Sequence, residues 1–419
     1  MAQESGGRSE SGSSDNALWA VLNGRKAPFV PVAPLFVDSP FRSLVDDRLC
    51  LAWKRKLEAT SGDSVEVDFE TYARFRFDLM CEIIDWYNTP PCWVRIPWTA
   101  SRREVEGCRV ARRGDRLVWV DRCSTETGLV EKLRSLDRRP GPWPMDQPVD
   151  RGLDEVRVLL EKDPQGLIPP GGAFGDTSSR WENWSEQDLR AEGCLTVWDW
   201  LRERYQGAMP AYVMGMCPSG RLQDVLGFDS TMVGFLEAPE IIHEVSRLGM
   251  PRNRAHWKAV RKAGVGLVQV SEYTWGGLIS PEVYGEFIAP YTRELIDFYH
   301  DIGFKVLLYV MGNIHGVLDQ IAAYPFDALA IEEGRKDYDL DVGEIRRRLG
   351  DERVLFGNVS CMQVVEGRPE EILAEVRRQI AVAGRSGRFV VSIGEPLPQG
   401  TPAERVRFFC DSTRLISGS

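Results

Sequence analysis

The sequence contains no run of about 18 apolar residues, the length that a membrane-spanning helix needs. Its opening segment, MAQESGGRSESGSSDN, has no apolar h-region and reads as a disordered leader over residues 1–25 rather than a secretory signal. CxxC pairs are also missing: the nine cysteines (50, 81, 92, 108, 123, 194, 217, 361 and 410) are scattered and odd in number. That pattern speaks against a zinc knuckle or a disulfide framework and leaves reduced thiols in a cytoplasmic setting. Positive charge is scarce as well. With 52 Lys and Arg against 62 Asp and Glu, the net charge of −10 argues against a nucleic-acid partner held through phosphate contacts. What is present is an ordinary globular composition, 43% hydrophobic and 27% charged, on a 419-residue chain able to bury a large core. The 13 tryptophans read mainly as core pieces, although those beside loop signals, Trp98 among them, are also candidate pocket walls.

Hydrophobic patterning divides the chain into alternating strands and helices. Residues 29–37 (FVPVAPLFV) and 92–97 (CWVRIP) read as buried strands, with helical patterning across 48–60 and 69–84 between them. Residues 109–121 (RVARRGDRLVWVD) alternate apolar and polar about Gly114-Asp115, the signature of an antiparallel hairpin. Together with the Pro- and Gly-rich loops up to residue 183, this suggests an insertion over roughly 104–195 that caps an active-site mouth. The βα rhythm then returns, with strands expected at 211–216, 265–271, 306–310, Ala328–Ile331, Val354–Phe356 and 389–393. Ser280-Pro281 supplies an N-cap and an N1 proline for the helix between the second and third of these. Repeated βα units favour a single (β/α)₈ TIM barrel over 26–416, whose ligands would sit at the carboxyl ends of the strands.

Residues 303–345 concentrate chemistry at such ends. Tyr309, Met311, Asn313 and His315 follow one apolar run, and Glu332 and Glu333 follow the next. Alternation places Glu332 and Glu333 on opposite sides, so at most one of them is expected to face the mouth. Glu272 and Tyr273 end the 265–271 strand, Asn358 and Cys361 follow Val354–Phe356, and Glu395 follows the last strand. Desolvated carboxylates at these places suit general acid–base work. Arg95, late in an early strand, is a candidate anion anchor with Asp38 as its alternative partner.

Four ordered segments carry a family resemblance: ISPEVYGEFIAPYTRELIDFY (279–299), VLLYVMGNIHGVLDQI (306–321), VLFGNVSCMQVVEGRPEEILAEV (354–376) and FVVSIGEPLPQGTPAERV (389–406). They resemble the uroporphyrinogen decarboxylase superfamily of TIM barrels, which also contains methyltransferases that act with corrinoid proteins on thiol or aromatic-ether substrates. The hairpin insertion is nearer the methyltransferase branch. Two departures bear on function. The decarboxylases place a Met-Arg-Gln-Ala-Gly-Arg run after strand one, where this chain reads Val37-Asp38-Ser39-Pro40-Phe41-Arg42. Without that pair of arginines an octa-anionic tetrapyrrole lacks its cations. The thiol-activating methyltransferases mount His-x-Cys where this chain has Tyr309 and Met311, and a further Cys near Glu395. Their zinc site is therefore absent in that form, and Glu272, His315, Glu333 and Glu395 are the candidate ligands for a different divalent metal.

The resemblance implies methyl transfer from an O- or N-methylated metabolite, with a corrinoid protein as candidate partner and a second copy of the chain as another. Glu395, Glu272, Glu333 and Tyr309 are the expected catalytic groups; Asn358, Arg95, Trp98, Tyr273, Met311 and Asp38 are the expected substrate contacts. The alternatives are a cofactor-free decarboxylase on a small carboxylate, held by Arg95, and a barrel that has lost its chemistry and only binds.

Overall fold

The computed structural model describes residues 16–35, 42–85, 93–96, 99–137, 151–164, 167, 184–205, 210–215, 217–251, 254–335 and 337–417. Their strands are β1 (Ser64–Val67), β2 (Val94–Arg95), β3 (Cys108–Arg113), β4 (Arg116–Val120), β5 (Glu126–Gly128), β6 (Ala211–Met214), β7 (Leu267–Tyr273), β8 (Lys305–Met311), β9 (Ala328–Ile331), β10 (Val354–Phe356) and β11 (Phe389–Val390). Seven of these form one parallel sheet in the order β11-β10-β9-β8-β7-β6-β2. Each step is to the next sheet strand in sequence, with helices such as Pro281–Phe287, Ala289–Ile302, Val342–Leu349 and Pro369–Ala383 in the crossovers. The strands are continuous apolar runs because both their faces are covered, and every residue of β6, β9 and β10 is buried.

The sheet curls on itself. Trp93, beside the edge strand β2, stacks on Tyr212 of β6 at 4.3 Å between ring centroids and meets the Phe356 ring of β10 at 5.5 Å. Strands β2 and β10 stand five places apart, which in a flat sheet means about 24 Å. Only strong curvature brings those rings together. At the opposite edge, Val391 N donates to Pro31 O and Ala33 N donates to Val391 O, both at 2.9 Å. The strand expected over 29–37 is thus reduced to a single parallel bridge at Val32. Pro31 and Pro34 have no N–H to give a ladder, and residues 36 and 37 lie outside the described set.

The expected hairpin forms about Gly114, with Arg113 paired to Arg116. It belongs to a separate four-stranded antiparallel sheet in the order β1-β3-β4-β5. That sheet recruits β1 from upstream of the expected insertion and packs Trp119 edge-on to Trp53 of the helix Arg42–Glu58. The proline- and glycine-rich loops at 140–148 and 168–176 lie outside the described residues. A second correction concerns the leader: its described part carries the helix Ala17–Leu22, capped by Asn16 Oδ1, with Leu18 and Val21 buried in the main core. Among the described residues no helix is long and apolar enough to cross a membrane, and the eight described cysteines are unbridged.

Candidate active site

The carboxyl ends of β8, β9, β10 and β11 converge on one group of ionisable residues. Glu332 follows the last residue of β9 and is buried, with Oε2 accepting from Gly312 N at 2.6 Å and from Tyr338 Oη at 3.0 Å. Its Oε1 accepts from Arg335 Nη2, and the same nitrogen also donates to Glu395 Oε1. Arg335 is carried by a tight turn, in which its N–H donates to Tyr338 O at 2.8 Å. Glu333 lies beyond the end of β9, so strand alternation does not separate it from the cluster: it accepts from Cys361 N at 2.6 Å and stands with Cys361 and Glu395.

The two carboxylates on Arg335 share their charge unequally. Burial and the neighbouring Glu332 raise Glu395 to about 7, whereas Glu332 is held below the ordinary range by its hydrogen bonds despite its burial. Like-charged groups in contact titrate as a pair, and burial beside Glu332 favours the protonated form of Glu395 up to about pH 7.

Glu395 is placed by the backbone before it. Gly394 N donates to Val359 O at 3.1 Å, and Tyr309 Oη donates to Gly394 O at 2.8 Å. A Cβ at Gly394 would stand 2.8 Å from Glu333 Cα, closer than real contacts allow. Gly394→Ala is therefore expected to push β9 and β11 apart at their ends and lower the melting temperature. Differential scanning calorimetry of the variant checks this, and an unchanged transition would mean the approach is not tight.

The other anticipated residues divide between this mouth and other places. Tyr309 lies within the cluster, but its hydroxyl proton is engaged by Gly394 O, so it braces the Glu395 turn. Burial holds its phenol well above the usual range. Tyr273 and Met311 are register partners at the ends of β7 and β8 and share the face of Tyr309. Asn358 gives its amide protons to Glu332 O (3.1 Å) and Leu340 O (2.8 Å) and accepts from Gln379, so it fixes the β9 turn. His315 Nε2 bonds Asp339 O at 2.6 Å, outside the cluster. Arg95 is half-buried and shares the face of its partner Tyr212. Asp38 and Trp98 lie outside the described residues.

Glu272 separates from the rest. Strand β7 runs two residues further than expected and takes Glu272 into its ladder opposite Val310, on the face away from Ser271 and Tyr309. Its carboxyl accepts from Tyr284 Oη of the helix Pro281–Phe287, and Tyr284 in turn meets Tyr324 Oη at 2.7 Å. This places Glu272 between sheet and helices, fully buried, with Thr292 and Tyr284 as its side-chain neighbours. Burial raises it to about 7. The folded state then holds a proton that the unfolded state gives up near the ordinary glutamate value. Stability from this site is full below about pH 4.5 and falls by roughly 3 kcal/mol as pH rises to about 7. In Glu272→Gln that loss disappears: urea unfolding should show wild type losing ground to the variant between pH 5 and pH 8. A constant difference across that interval would show that Glu272 is not held protonated.

As a result, the four anticipated metal ligands do not meet. Among the described residues a different trio, Glu333, Cys361 and Glu395, brings its donor atoms within 4.8 Å of one another. It does not reproduce the soft zinc set implied by the family resemblance. Burial and the flanking carboxylates push the Cys361 thiol up to about 12, and Glu395 is already engaged by a guanidinium that would repel a cation. Three members of the cluster, Arg335, Tyr338 and Cys361, were not foreseen as site residues. For Arg335 the signal was available, because a cation three residues after a strand-end glutamate is placed to turn back onto it.

A family model described as uroporphyrinogen decarboxylase (URO-D) matches residues 179–415. Uroporphyrinogen decarboxylase of Neisseria meningitidis serogroup C / serotype 2a is 29% identical over 182 residues, 43% of this chain and 49% of that protein. The Thermosynechococcus vestitus enzyme is 30% identical over 158 residues, 37% of this chain and 43% of its own. The chain thus spans about half the length of the curated relatives it matches. A methyltransferase from Methanosarcina mazei superposes with a TM-score of 0.59 at 17% identity, covering 97% of this chain and 99% of that one. At that identity the likeness is one of fold.

Proposed function

The chain belongs to the uroporphyrinogen decarboxylase family, and from that premise we propose that it is a methyltransferase that demethylates a small O- or N-methylated metabolite. The observation that carries this reading is the Glu332–Arg335–Glu395 contact at the strand ends, where burial and Glu332 raise the Glu395 carboxyl to about 7. A methyl group leaves oxygen or nitrogen with the bonding pair remaining on the heteroatom, which then needs a proton. Glu395 supplies it from its carboxyl and becomes a carboxylate that Arg335 already faces, so the charge created is met by a fixed cation. The methyl carbon passes to a soft nucleophile from outside the chain, and a corrinoid protein is the candidate class of acceptor. Tyr309 and Asn358 hold the turns that present Glu395 and Glu332. The expected zinc donors are replaced by Tyr309 and Met311, and no step here passes through a metal.

The same mouth weighs against porphyrinogen decarboxylation. Among the described residues of the cluster, Glu332, Glu333 and Glu395 stand with one guanidinium, which is the wrong balance for a polycarboxylate substrate. We further propose that residues 31–34 close the curled sheet into an eight-stranded barrel. Two contacts support closure: the bridge to Val391 on one side, and the Trp93 Nε1 hydrogen bond to Pro34 O at 3.0 Å on the other.

The functional test uses O- and N-methylated metabolites labelled in the methyl group, supplied with a reduced corrinoid protein or a thiol as acceptor. The expected result is label on the acceptor in equal amount to demethylated product. Carbon dioxide released from carboxylated substrates, without methyl loss, would replace this reading with the lyase.

A further inference from the structure

We propose that the rim of the mouth beside β7 is a docking surface for a second, different protein, whose own docking face sets an apolar centre among lysines or arginines. The proposal is independent of the reaction carried out in the mouth.

Three neighbouring segments build this rim: the helix Phe228–Glu237, the turn Trp275–Gly277 that follows β7, and the helix Pro281–Phe287. They are packed together from beneath. The Phe235 ring meets Trp275 edge-on at 5.7 Å and Phe287 at 5.2 Å between ring centroids. The turn is also pinned to the end of β8, where Thr274 N and Thr274 Oγ1 each donate to Met311 O at 3.0 Å.

Above that packed layer, apolar side chains face water. Phe228, Met232 and Leu236 recur at i, i+4 and i+8 and so share one face of their helix. Met232 is half-buried, Phe228 is exposed, and Leu236 is 80% exposed. Val233 is exposed on the adjoining stripe, and Leu278, just after the turn, is 70% exposed. Single exposed leucines are ordinary, whereas a helix stripe with a second exposed leucine on the neighbouring turn marks an interaction surface.

Charge decides the occupant. The same segments carry Asp229, Glu237, Glu282 and Glu286, all exposed, and residues 228–237 and 274–288 contain no lysine, arginine or histidine. Among the described residues no ion pair engages any of these four acids. A two-fold contact with a second copy of the chain would set the acids against themselves. A nucleic acid, or the anionic face of a membrane, would be repelled for the same reason. A basic protein surface gains from both the apolar centre and the acidic rim.

The probe is a short, fluorescently labelled amphipathic helical peptide with leucines on one face and lysines on the other. Its counterpart carries glutamates in place of the lysines. Anisotropy titration with the full chain at physiological salt should show binding of the lysine peptide and none of the glutamate peptide. In the double variant Leu236→Ser, Leu278→Ser the lysine peptide is expected to bind about tenfold more weakly or worse, the scale of lost anchor residues. Glu282→Gln with Glu286→Gln should weaken binding and flatten its salt dependence. Leu415→Ser, which removes an exposed leucine on the C-terminal helix, should bind as wild type does. All the replaced side chains are exposed, and circular dichroism checks that each variant is folded. No binding by wild type would overturn the proposal. So would unchanged binding in the leucine double variant, which leaves only a general attraction to an acidic chain. Self-association in sedimentation velocity that Leu236→Ser abolishes would also overturn it, by making the cover a second copy. Failure of the methyl-transfer reading alters none of these outcomes.

Discussion

Glu395→Gln is expected to lower turnover by about a hundred- to a thousandfold, the usual contribution of a positioned general acid. Glutamine keeps the shape of the protonated carboxyl and can still face Glu332, so packing at the β11 end should survive. What it cannot do is release a proton to a departing oxygen or nitrogen. The pH profile carries the sharper test. Wild-type turnover should fall as pH rises through about 7, because burial and Glu332 hold the Glu395 proton to that value. In Glu395→Gln the remaining rate should lose that limb and be flat through neutrality. A substrate whose leaving group is already a weak base needs less help, so its penalty in the variant should shrink. A variant with wild-type turnover, or one that keeps the alkaline limb, would move the acid role to another residue.

The second large effect is on stability. Trp93→Ala should cost about 3–5 kcal/mol, the range found when a large aromatic is cut from a packed interior. Trp93 is fully buried, stacked on Tyr212 and against Phe356. Removing it empties the inside of the curl and also takes the hydrogen-bond donor from Pro34 O. Trp93→Phe keeps an aromatic ring but loses that donor, so it separates the two terms and should cost markedly less. Urea unfolding of the two variants gives both numbers. A cost below about 1 kcal/mol for the alanine variant would mean that Trp93 does not hold the curvature.

Much of the sheet was legible in the sequence because parallel strands covered on both faces are written as short apolar runs between helices. Ala328–Ile331 and Val354–Phe356 fall within the same bounds in sequence and structure. The hairpin was legible for a different reason, since Gly114 at φ +59° meets the need of a tight turn. Other features needed tertiary knowledge. The 29–37 run looks like a strand by hydropathy, but its prolines spend the backbone on one bridge and one side-chain contact. Residues 17–22 looked like part of a leader, although Asn16 before ALWAVL is a helix start.

Within the site, the strand ends pointed to Glu332, Glu333, Tyr309 and Glu395, which the structure gathers in one place. Glu272 was grouped with them by position along the chain. A strand that ends two residues beyond the expected run takes it into the ladder on the other face, and strand parity cannot be read without the strand's true end. The spacing of Arg335 pointed back to Glu332, but its contact with Glu395, 60 residues on, becomes visible only in three dimensions.

The most direct test of the central claim needs no substrate. In protein labelled with carbon-13 at glutamate side-chain carboxyls, the Glu395 resonance is identified by its loss in Glu395→Gln and followed against pH. A midpoint near 7 that falls when Glu332 is replaced by glutamine is the predicted result. A midpoint in the ordinary carboxylate range, unmoved by Glu332→Gln, would contradict the account.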